Sequence, residues 1–574
     1  MNARTPTATS ITTLPAALMS GTDYRESLRR YKPTVFVDGR RVDSVADERA
    51  FGPGINAIAL TYDYALKPQY APLMTAVQHT SGKTVNRLTH INTSSGDLLN
   101  KLEAVRLVCQ ETGCAQRYLT HDAMNAIGQV TARIDDAHGK ARGQGEHTQR
   151  FLNYLHRVQD EDLTLGIAMT DAKGDRSKKP HQQSNVDSYL HIVERNAVVN
   201  GQRGITISGT KAIVTGAPYM HELLVMPCRN MGKEDADFAV CCAVPIDAPG
   251  LTIVARPAGR PGEKLEHGAA LFSAKYGQST GVCLFDKVFV PMENVFYAGE
   301  WEHTGHLTYS YATHHRHTCI GARAGFGDLL IGAGALMCEA NGFDPAKETH
   351  LKEQMVELIT ITESFFACGV AASVYGKADE HSNTFMPDPV FSNIGKLLLA
   401  TKIYDMHRIA HYVSGGIIVT LPGPDEDHNP ETAARLSEVL RANPDVPYEQ
   451  RIETARFIED LTAGYQGGWY STISLHGGGS PAAMKQEIYR NYPVGSKVEL
   501  VERLLERGIA ADGSPAAAPH DPARAITQNR QPGKCCDMGC TTPGQPVMVD
   551  LPSVVATLPS VHKLALQPAV QATN

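Results

Sequence analysis

Residues 191–215 read HIVERNAVVNGQRGITISGTKAIVT. Ile192-Val193, Val198-Val199, Ile205 to Ile207 and Ala212 to Val214 are short β-branched runs, and Asn200-Gly201, Arg203-Gly204 and Ser208-Gly209 punctuate them as turn signals. Further strands are expected at Phe238 to Val244, Leu251 to Ala255 and Val282 to Val290, the last ended by Pro291. Strands at this spacing, with no helical period between them, predict a small antiparallel barrel or sandwich over residues 166–298.

On both sides of that region the period is helical. Asp97 reads as an N-cap, followed on one face by Leu98, Leu102, Val105 and Cys109, and residues 21–165 are expected to form a helical layer. Asp344-Pro345 and Asp388-Pro389 each read as a capping Asp ahead of a Pro in the first helical position. Behind the first, Leu351, Met355, Leu358, Thr362, Phe365 and Gly369 form a stripe; behind the second, Ile394, Leu397, Leu398, Thr401 and Tyr404 do. Residues 299–509 are therefore expected to be a helical bundle. Residues 1–20, rich in Thr, Ala and Pro, read as a disordered lead, and residues 510–574 as a tail or arm. Helical layer, central antiparallel β domain and C-terminal bundle, in that order, resemble the α+β acyl-CoA dehydrogenase-like architecture, which holds a flavin between β domain and bundle.

Composition narrows the function classes. The chain has 574 residues, and 54 Lys+Arg against 61 Asp+Glu leave a net charge of −7. That balance argues against a nucleic-acid partner, which would need a basic face. The most apolar run, Phe326 to Cys338, is interrupted by Asp328 and glycines, so no membrane span is expected. Leu14 to Met19, broken by Pro15, is too short for an export signal. Twelve cysteines in so long a chain then read as reduced thiols in the cytoplasm.

No G-x-G-x-x-G follows a strand, since Leu330 fills the last glycine position after Gly325-Phe326-Gly327; neither a P-loop nor a G-x-S-x-G elbow is present. The densest chemical cluster is His314-His315-Arg316-His317-Thr318-Cys319, whose imidazoles, guanidinium and thiol suit metal binding, proton transfer or anion binding. Adjacent helical positions face different ways, so one functional histidine is expected there rather than a complete metal site. Cys109 and Cys114 read as buried thiols, and Cys535, Cys536 and Cys540 as surface thiols. Met169-Thr170-Asp171 entering the β domain, and Val214-Thr215-Gly216 leaving a strand, offer small polar groups and free amides for a flavin.

These segments, with Gly327-Asp328-Leu329-Leu330-Ile331-Gly332-Ala333, Leu475-His476-Gly477-Gly478-Gly479-Ser480-Pro481, Tyr62 and Gly82-Lys83-Thr84-Val85-Asn86-Arg87, resemble the 4-hydroxyphenylacetate 3-hydroxylase family. Within it they look closest to the 4-hydroxybutyryl-CoA dehydratase/vinylacetyl-CoA isomerase branch, from Gly21 to Lys497. The resemblance implies FAD and a homotetramer. The dehydratase branch holds an iron-sulfur cluster on three cysteines and a histidine; Cys114 and His315 match two of these positions, but Tyr118 and Ala322 fill the others. Neither a phenol nor a methyl group replaces a thiolate on iron. That branch's two glutamates fall at Thr280 and Ile473 and its tyrosine at Cys319. Of the hydroxylase branch's arginine, tyrosine and histidine, Arg117 matches the first, while His121 and Gly166 stand at the others.

The reading is a two-component flavin monooxygenase: a separate reductase delivers FADH2, O2 forms a C4a-hydroperoxide, and one oxygen enters an aromatic or similar electron-rich small molecule. Met169, Thr170, Asp171 and Thr215 are the expected flavin contacts; Arg117 would anchor the substrate's anionic group or the flavin; His121 and His315 would act as acid/base groups. No metal ligand and no complete iron-sulfur cluster are expected. The alternatives are a flavin-dependent CoA-thioester isomerase or dehydratase-like enzyme using His315, and a flavin-binding module without catalysis.

Overall fold

The computed structural model describes residues 18–259 and 272–506. Ser20 caps α1 (Gly21–Arg30) in a capping box with Asp23, and the Met19 amide donates to Asp162 Oδ2 at 3.1 Å. Residues 18–20 thus belong to the fold rather than to a lead. The rest of that lead, residues 1–17, and residues 507–574 with the tail and Cys535, Cys536 and Cys540 lie outside the described residues.

The N-terminal stretch is mostly helical. It contains α2 (Gly52–Leu66), α3 (Ala71–Met74), α4 (Ser95–Thr112), α5 (Tyr118–Ala137) and α6 (Glu146–Asp160), interleaved with β1 (Thr34–Val37), β2 (Arg40–Arg41), β3 (Thr75–Val77) and β4 (Thr84–Asn86). Leu98, Leu102, Val105 and Cys109 are buried on one face of α4. The cap of α4 is Ser94, not Asp97. Ser94 Oγ accepts the Asp97 amide at 3.2 Å, and the Asp97 carboxylate, one turn in, accepts from the Thr93 amide at 2.9 Å.

The β region continues with β5 (Leu165–Ala168), β6 (His191–Val199), β7 (Gln202–Thr215), β8 (Glu222–Val225), β9 (Val240–Pro245), β10 (Leu251–Ala255), β11 (Thr280–Pro291) and β12 (Val295–Ala298). Six strands form one sheet in the order β2-β1-β10-β11-β7-β6, and four form another, β12-β9-β8-β5. Asn200 and Gly201, at φ 51° and 80°, make the two-residue turn between β6 and β7 that their sequence predicts. Arg203-Gly204 and Ser208-Gly209 are not turns; both lie inside β7, paired on either side. Gly209 is there because a Cβ would sit 2.2 Å from the Tyr189 carbonyl, a close approach that mimics a turn signal in sequence. Nor is the region purely antiparallel. β1 pairs parallel with β10, and β5 with β8, because β1 and β5 enter from the helical layer rather than from an adjacent hairpin.

The C-terminal helices are α7 (Thr304–Ala340), α8 (Thr349–Val374), α9 (Pro389–Val413), α10 (Ala433–Val439), α11 (Tyr448–Thr462) and α12 (Tyr465–His476), with β13 (Lys377–Ala378) and β14 (Phe385–Met386) pairing between α8 and α9. Asp388 caps α9 as expected, accepting the Phe391 amide at 2.9 Å. Asp344 does not cap α8: it accepts the nearby Ala346 amide at 2.9 Å, and the helix starts at Thr349. The α8 stripe is buried as read, but the α9 stripe is not. Thr401 and Tyr404 are exposed, and α9 instead buries Ser392, Asn393, Lys396, Leu399, Ile403 and His407. Polar side chains on the inner face hid its period.

Trp301–Ala340 and Thr349–Val374 are long and apolar enough to cross a bilayer, which no uninterrupted apolar run suggested. Both are bundle helices, with 67% and 44% of their most apolar windows buried in the fold. One apolar core joins α4, α5, α7, α8 and α9, and a second lies between α1, α2 and the sheets. Contacts divide the chain into Met1–Met484, described so far, and Lys485–Asn574, whose described part is helical through Val494–Glu506.

Candidate active site

Every residue of α7 from Thr313 to Gly327 is buried, which draws the polar run at its N-terminal half into the bundle. His315 and Cys319 are four apart and share a helix face. Their Nε2 and Sγ atoms lie 3.5 Å apart. The sulfur also lies 4.0 Å from Nδ1, which meets Asp122 Oδ2 of α5 at 3.2 Å. Asp122 Oδ1 accepts from Thr318 Oγ1 at 2.7 Å and faces His121 Nδ1 at 3.3 Å and Lys101 Nζ of α4 at 3.7 Å. The Tyr311 and Tyr118 rings stack near the imidazole, with centroids at 5.4 and 6.2 Å. Gly478 closes the site with φ 75°; a Cβ there would lie 3.1 Å from His315 Cδ2, and its carbonyl accepts from Arg316 Nε at 2.9 Å.

Burial lowers the His315 pKa, but the Cys319 sulfur and the Asp122 carboxylate outweigh it and raise the ring to about 9. Burial likewise pushes the Cys319 thiol up, yet His315 and Lys396 bring it below its ordinary value. The two shifts favour a proton on the imidazole over one on the thiol. Asp122 is held far below the carboxylate range despite burial, by its bonds to His121 and His315 and by Lys101. Burial brings Lys101 and Lys396 down to about 8. It also takes His121 to about 4, with Lys101 adding to the effect, and takes His314 and His317 well below their ordinary value. His121 Nδ1 faces Asp122 Oδ1, and its Nε2 lies 3.0 Å from Asn92 Oδ1 and 3.4 Å from Asn125 Nδ2.

The structure brings His121 and His315 together through Asp122, but turns Arg117 elsewhere. The Arg117 guanidinium lies 3.6 Å over the Tyr62 ring and bonds the carbonyl and carboxylate of Asp162. Among the described residues, Arg117 Nε and Nη1, Gln116 Oε1 and Gln278 Oε1 are buried without a hydrogen-bond partner, an unmet polar demand that suits a polar ligand. Met169 and Thr170, half-buried, follow β5; Thr215 ends β7 opposite Thr280. Asp171 and Lys211 join these two strand ends through Asp171 Oδ1, while Asp171 Oδ2 is buried without a hydrogen-bond partner among the described residues. Oδ1 pairs with Lys211 Nζ at 2.6 Å and accepts the Leu190 amide at 3.1 Å, while Lys211 also donates to the Met169 carbonyl at 3.0 Å.

Residues at the cluster positions do not suit an iron-sulfur centre. Cys114 Sγ faces the Tyr118 hydroxyl at 3.6 Å, and Ala322 offers only a methyl group. Burial pushes the Cys114 and Cys109 thiols up. Among the described residues, no group of three or more His, Cys, Asp and Glu side chains is placed to hold a metal ion.

Sequence reasoning missed Asp122, Lys101 and Lys396. Lys101 carried a signal, a lysine on the apolar face between Leu98 and Leu102; Asp122 and Lys396 carried none.

Sequence profiles described as 4-hydroxyphenylacetate 3-hydroxylase N terminal and C terminal match residues 20–297 and 304–506. The 4-hydroxybutyryl-CoA dehydratase/vinylacetyl-CoA-Delta-isomerase of Clostridium aminobutyricum is 33% identical, over 85% of this chain and 99% of that protein. The chain belongs to the 4-hydroxyphenylacetate 3-hydroxylase family. Another member, the 4-hydroxyphenylacetate 3-monooxygenase oxygenase component of Thermus thermophilus, is 23% identical over 85% of this chain and 98% of its own. An archaeal 4-hydroxybutyryl-CoA dehydratase from N. maritimus superposes with a TM-score of 0.79 at 33% identity, covering 89% of this chain and 99% of that one. The FAD-complexed oxygenase component of 4-hydroxyphenylacetate 3-monooxygenase superposes at 0.74 and 22%, covering 85% and 98%. The family's named members are enzymes, and the fold shared with them is the acyl-CoA dehydrogenase-like one.

Proposed function

We propose that this family member is an FADH2-dependent monooxygenase of the two-component type, hydroxylating an aromatic or similar electron-rich small molecule. The observation that carries the reading is the pairing of Tyr118 with Cys114, and Ala322 nearby on α7, where dehydration would need cluster thiolates. Met169, Thr170, Thr215 and the unpartnered Oδ2 of Asp171 would hold FAD along the strand ends that Asp171 Oδ1 and Lys211 pin together. When bound as its reduced form, the flavin supplies the activation of dioxygen. The chain's own residues bind, orient and exclude water. Arg117 keeps Nε and Nη1 for an anionic group of substrate or flavin. His315, fixed at Nδ1 by Asp122, can release a proton to a substrate oxygen and take it back. The closed bundle around it excludes bulk water. Absence of a Rossmann fingerprint among the motifs supports a separate reductase. Exposed Leu336, Val356, Ile359 and Tyr404 on α7, α8 and α9 support a homo-oligomer, which we take to be a tetramer in the cytoplasm.

Turnover tests the reading. Purified protein, chemically reduced FAD, 4-hydroxyphenylacetate and related phenols under isotopically labelled dioxygen should give a product carrying one labelled oxygen. If all flavin electrons end in hydrogen peroxide across the panel, the reading fails. A second reading, an isomerase or lyase acting on a CoA thioester with His315 as base, is favoured by the close His315–Cys319 contact and by the 33%-identical dehydratase. Conversion of vinylacetyl-CoA without dioxygen would select it.

A further inference from the structure

Three features outside the proposed oxygenation chemistry invite a role: the histidine network around His147 and Glu300, the apolar outer face of the bundle, and the thiol of Cys319. The third is a built site. Cys319 Sγ lies beside the His315 ring, 3.5 Å from Nε2 and 4.0 Å from Nδ1, and Nδ1 is fixed at 3.2 Å by Asp122, itself fully buried and held by Thr318 Oγ1 at 2.7 Å. A nucleophile, a base and a third group that orients the base is the arrangement used for covalent catalysis. With Tyr118 and Ala322 at two of the four cluster positions, His315 is left to partner the thiol.

The geometry points to Cys319 as a nucleophile that forms a reversible covalent adduct with a conjugated carbonyl compound, a quinone or a 2-enoyl thioester. This goes beyond the oxygenase reading and holds without it. In the step, a lone pair on Sγ makes a C–S bond to the β-carbon, and the C=C π pair moves to the carbonyl oxygen as an enolate. The Nε2 proton of His315 then passes to the α-carbon, leaving a neutral imidazole and a saturated thioether. Reversal breaks the C–S bond and returns the proton, so no oxidant or reductant is required. The groups facing the sulfur suit an anion forming there. Lys101 from α4, Arg323 from α7 and Lys396 from α9 all interact with it electrostatically, against one carboxylate, Asp122. Among the other described cysteines, Cys109, Cys114, Cys241, Cys242, Cys283 and Cys338 are buried and Cys228 and Cys368 half-buried, and none has the imidazole contact that Cys319 has.

N-ethylmaleimide, itself a conjugated acceptor, tests the thiol on the full-length protein at about pH 6, where an ordinary thiol is well under ~1% ionised. Peptide mapping should find the fast-labelled residue to be Cys319, and His315→Gln should slow that labelling at least ~10-fold. A fast label elsewhere, or an unchanged rate in His315→Gln, overturns the proposal. Should His315→Gln fail to fold, the ultraviolet thiolate absorbance of wild type minus Cys319→Ser at the same pH decides: a thiolate signal supports the proposal and its absence overturns it. Intact mass after 1,4-benzoquinone or crotonyl-CoA separates the two acceptors. An adduct with either that is present in wild type and missing from Cys319→Ser supports the proposal and names the class, whereas no adduct that depends on Cys319 overturns the assigned chemistry.

Discussion

Replacing Asp122 with Asn should be among the most damaging changes in the protein, and replacing its partner as well should undo most of the damage. Asp122 is fully buried, 3.7 Å from Lys101 Nζ, 3.2 Å from His315 Nδ1 and 2.7 Å from Thr318 Oγ1. Lys101 Nζ is itself buried with no hydrogen-bond partner among the described residues, so Asp122 is its counter-charge. Breaking one side of a buried ion pair costs about 3–5 kcal/mol, because the other charge is left uncompensated. Replacing both charges with neutral groups of similar volume is close to neutral. Asp122→Asn should therefore lower the free energy of unfolding in urea by about 3–5 kcal/mol, and Asp122→Asn with Lys101→Met should recover more than half of it. A single variant as stable as wild type, or a double variant no better than the single one, would refute the assignment of Asp122 as the charge that holds Lys101, His315 and Thr318 in place.

Lys396 gives the pH dependence. Burial lowers it from 10.5 to about 8, so between those values the unfolded chain binds the extra proton and stability rises with pH. Measured against Lys396→Met from about pH 7 to 10.5, wild type should gain up to about 3 kcal/mol; a pH-independent difference contradicts the buried ammonium. Gly478→Ala should destabilise by about 1–2 kcal/mol, because φ is 75° and the new methyl meets the His315 ring; thermal unfolding checks it, and no change would mean the loop sits elsewhere. Thr170→Val with Thr215→Val should weaken FAD binding about 10-fold in a fluorescence titration while leaving maleimide labelling of Cys319 unchanged. Loss of both together would merge the two sites that the structure keeps on separate elements.

The fold was legible where a residue pattern served only the backbone. Leu251 to Ala255 is a strand with those ends, Asn200-Gly201 is a hairpin turn, and Asp388-Pro389 starts a helix. Patterns that served two purposes misled. Gly209 looks like a turn but lets two backbones meet; Asp344 looks like a cap but closes its own local turn; Asp97 supports a cap held by Ser94. In α9 the inner face carries Ser392, Asn393, Lys396 and His407. Asn393 accepts from Arg316, and Lys396 donates to the Ser474 carbonyl, so the helix gave up its apolar period to reach neighbours of the site. At the candidate site, His315 was visible as part of a dense polar run, whereas Asp122 was not, because its role depends on α5 and α7 being adjacent. Such tertiary pairing leaves no local signal.

The cofactor content of the protein purified without air tests the central claim most directly. Close to one FAD per chain is expected, and neither iron nor acid-labile sulfide in stoichiometric amount, since Tyr118 and Ala322 leave Cys114 and His315 as a broken ligand set. Iron and sulfide at the stoichiometry of an intact cluster, bound in the same preparation, would contradict it.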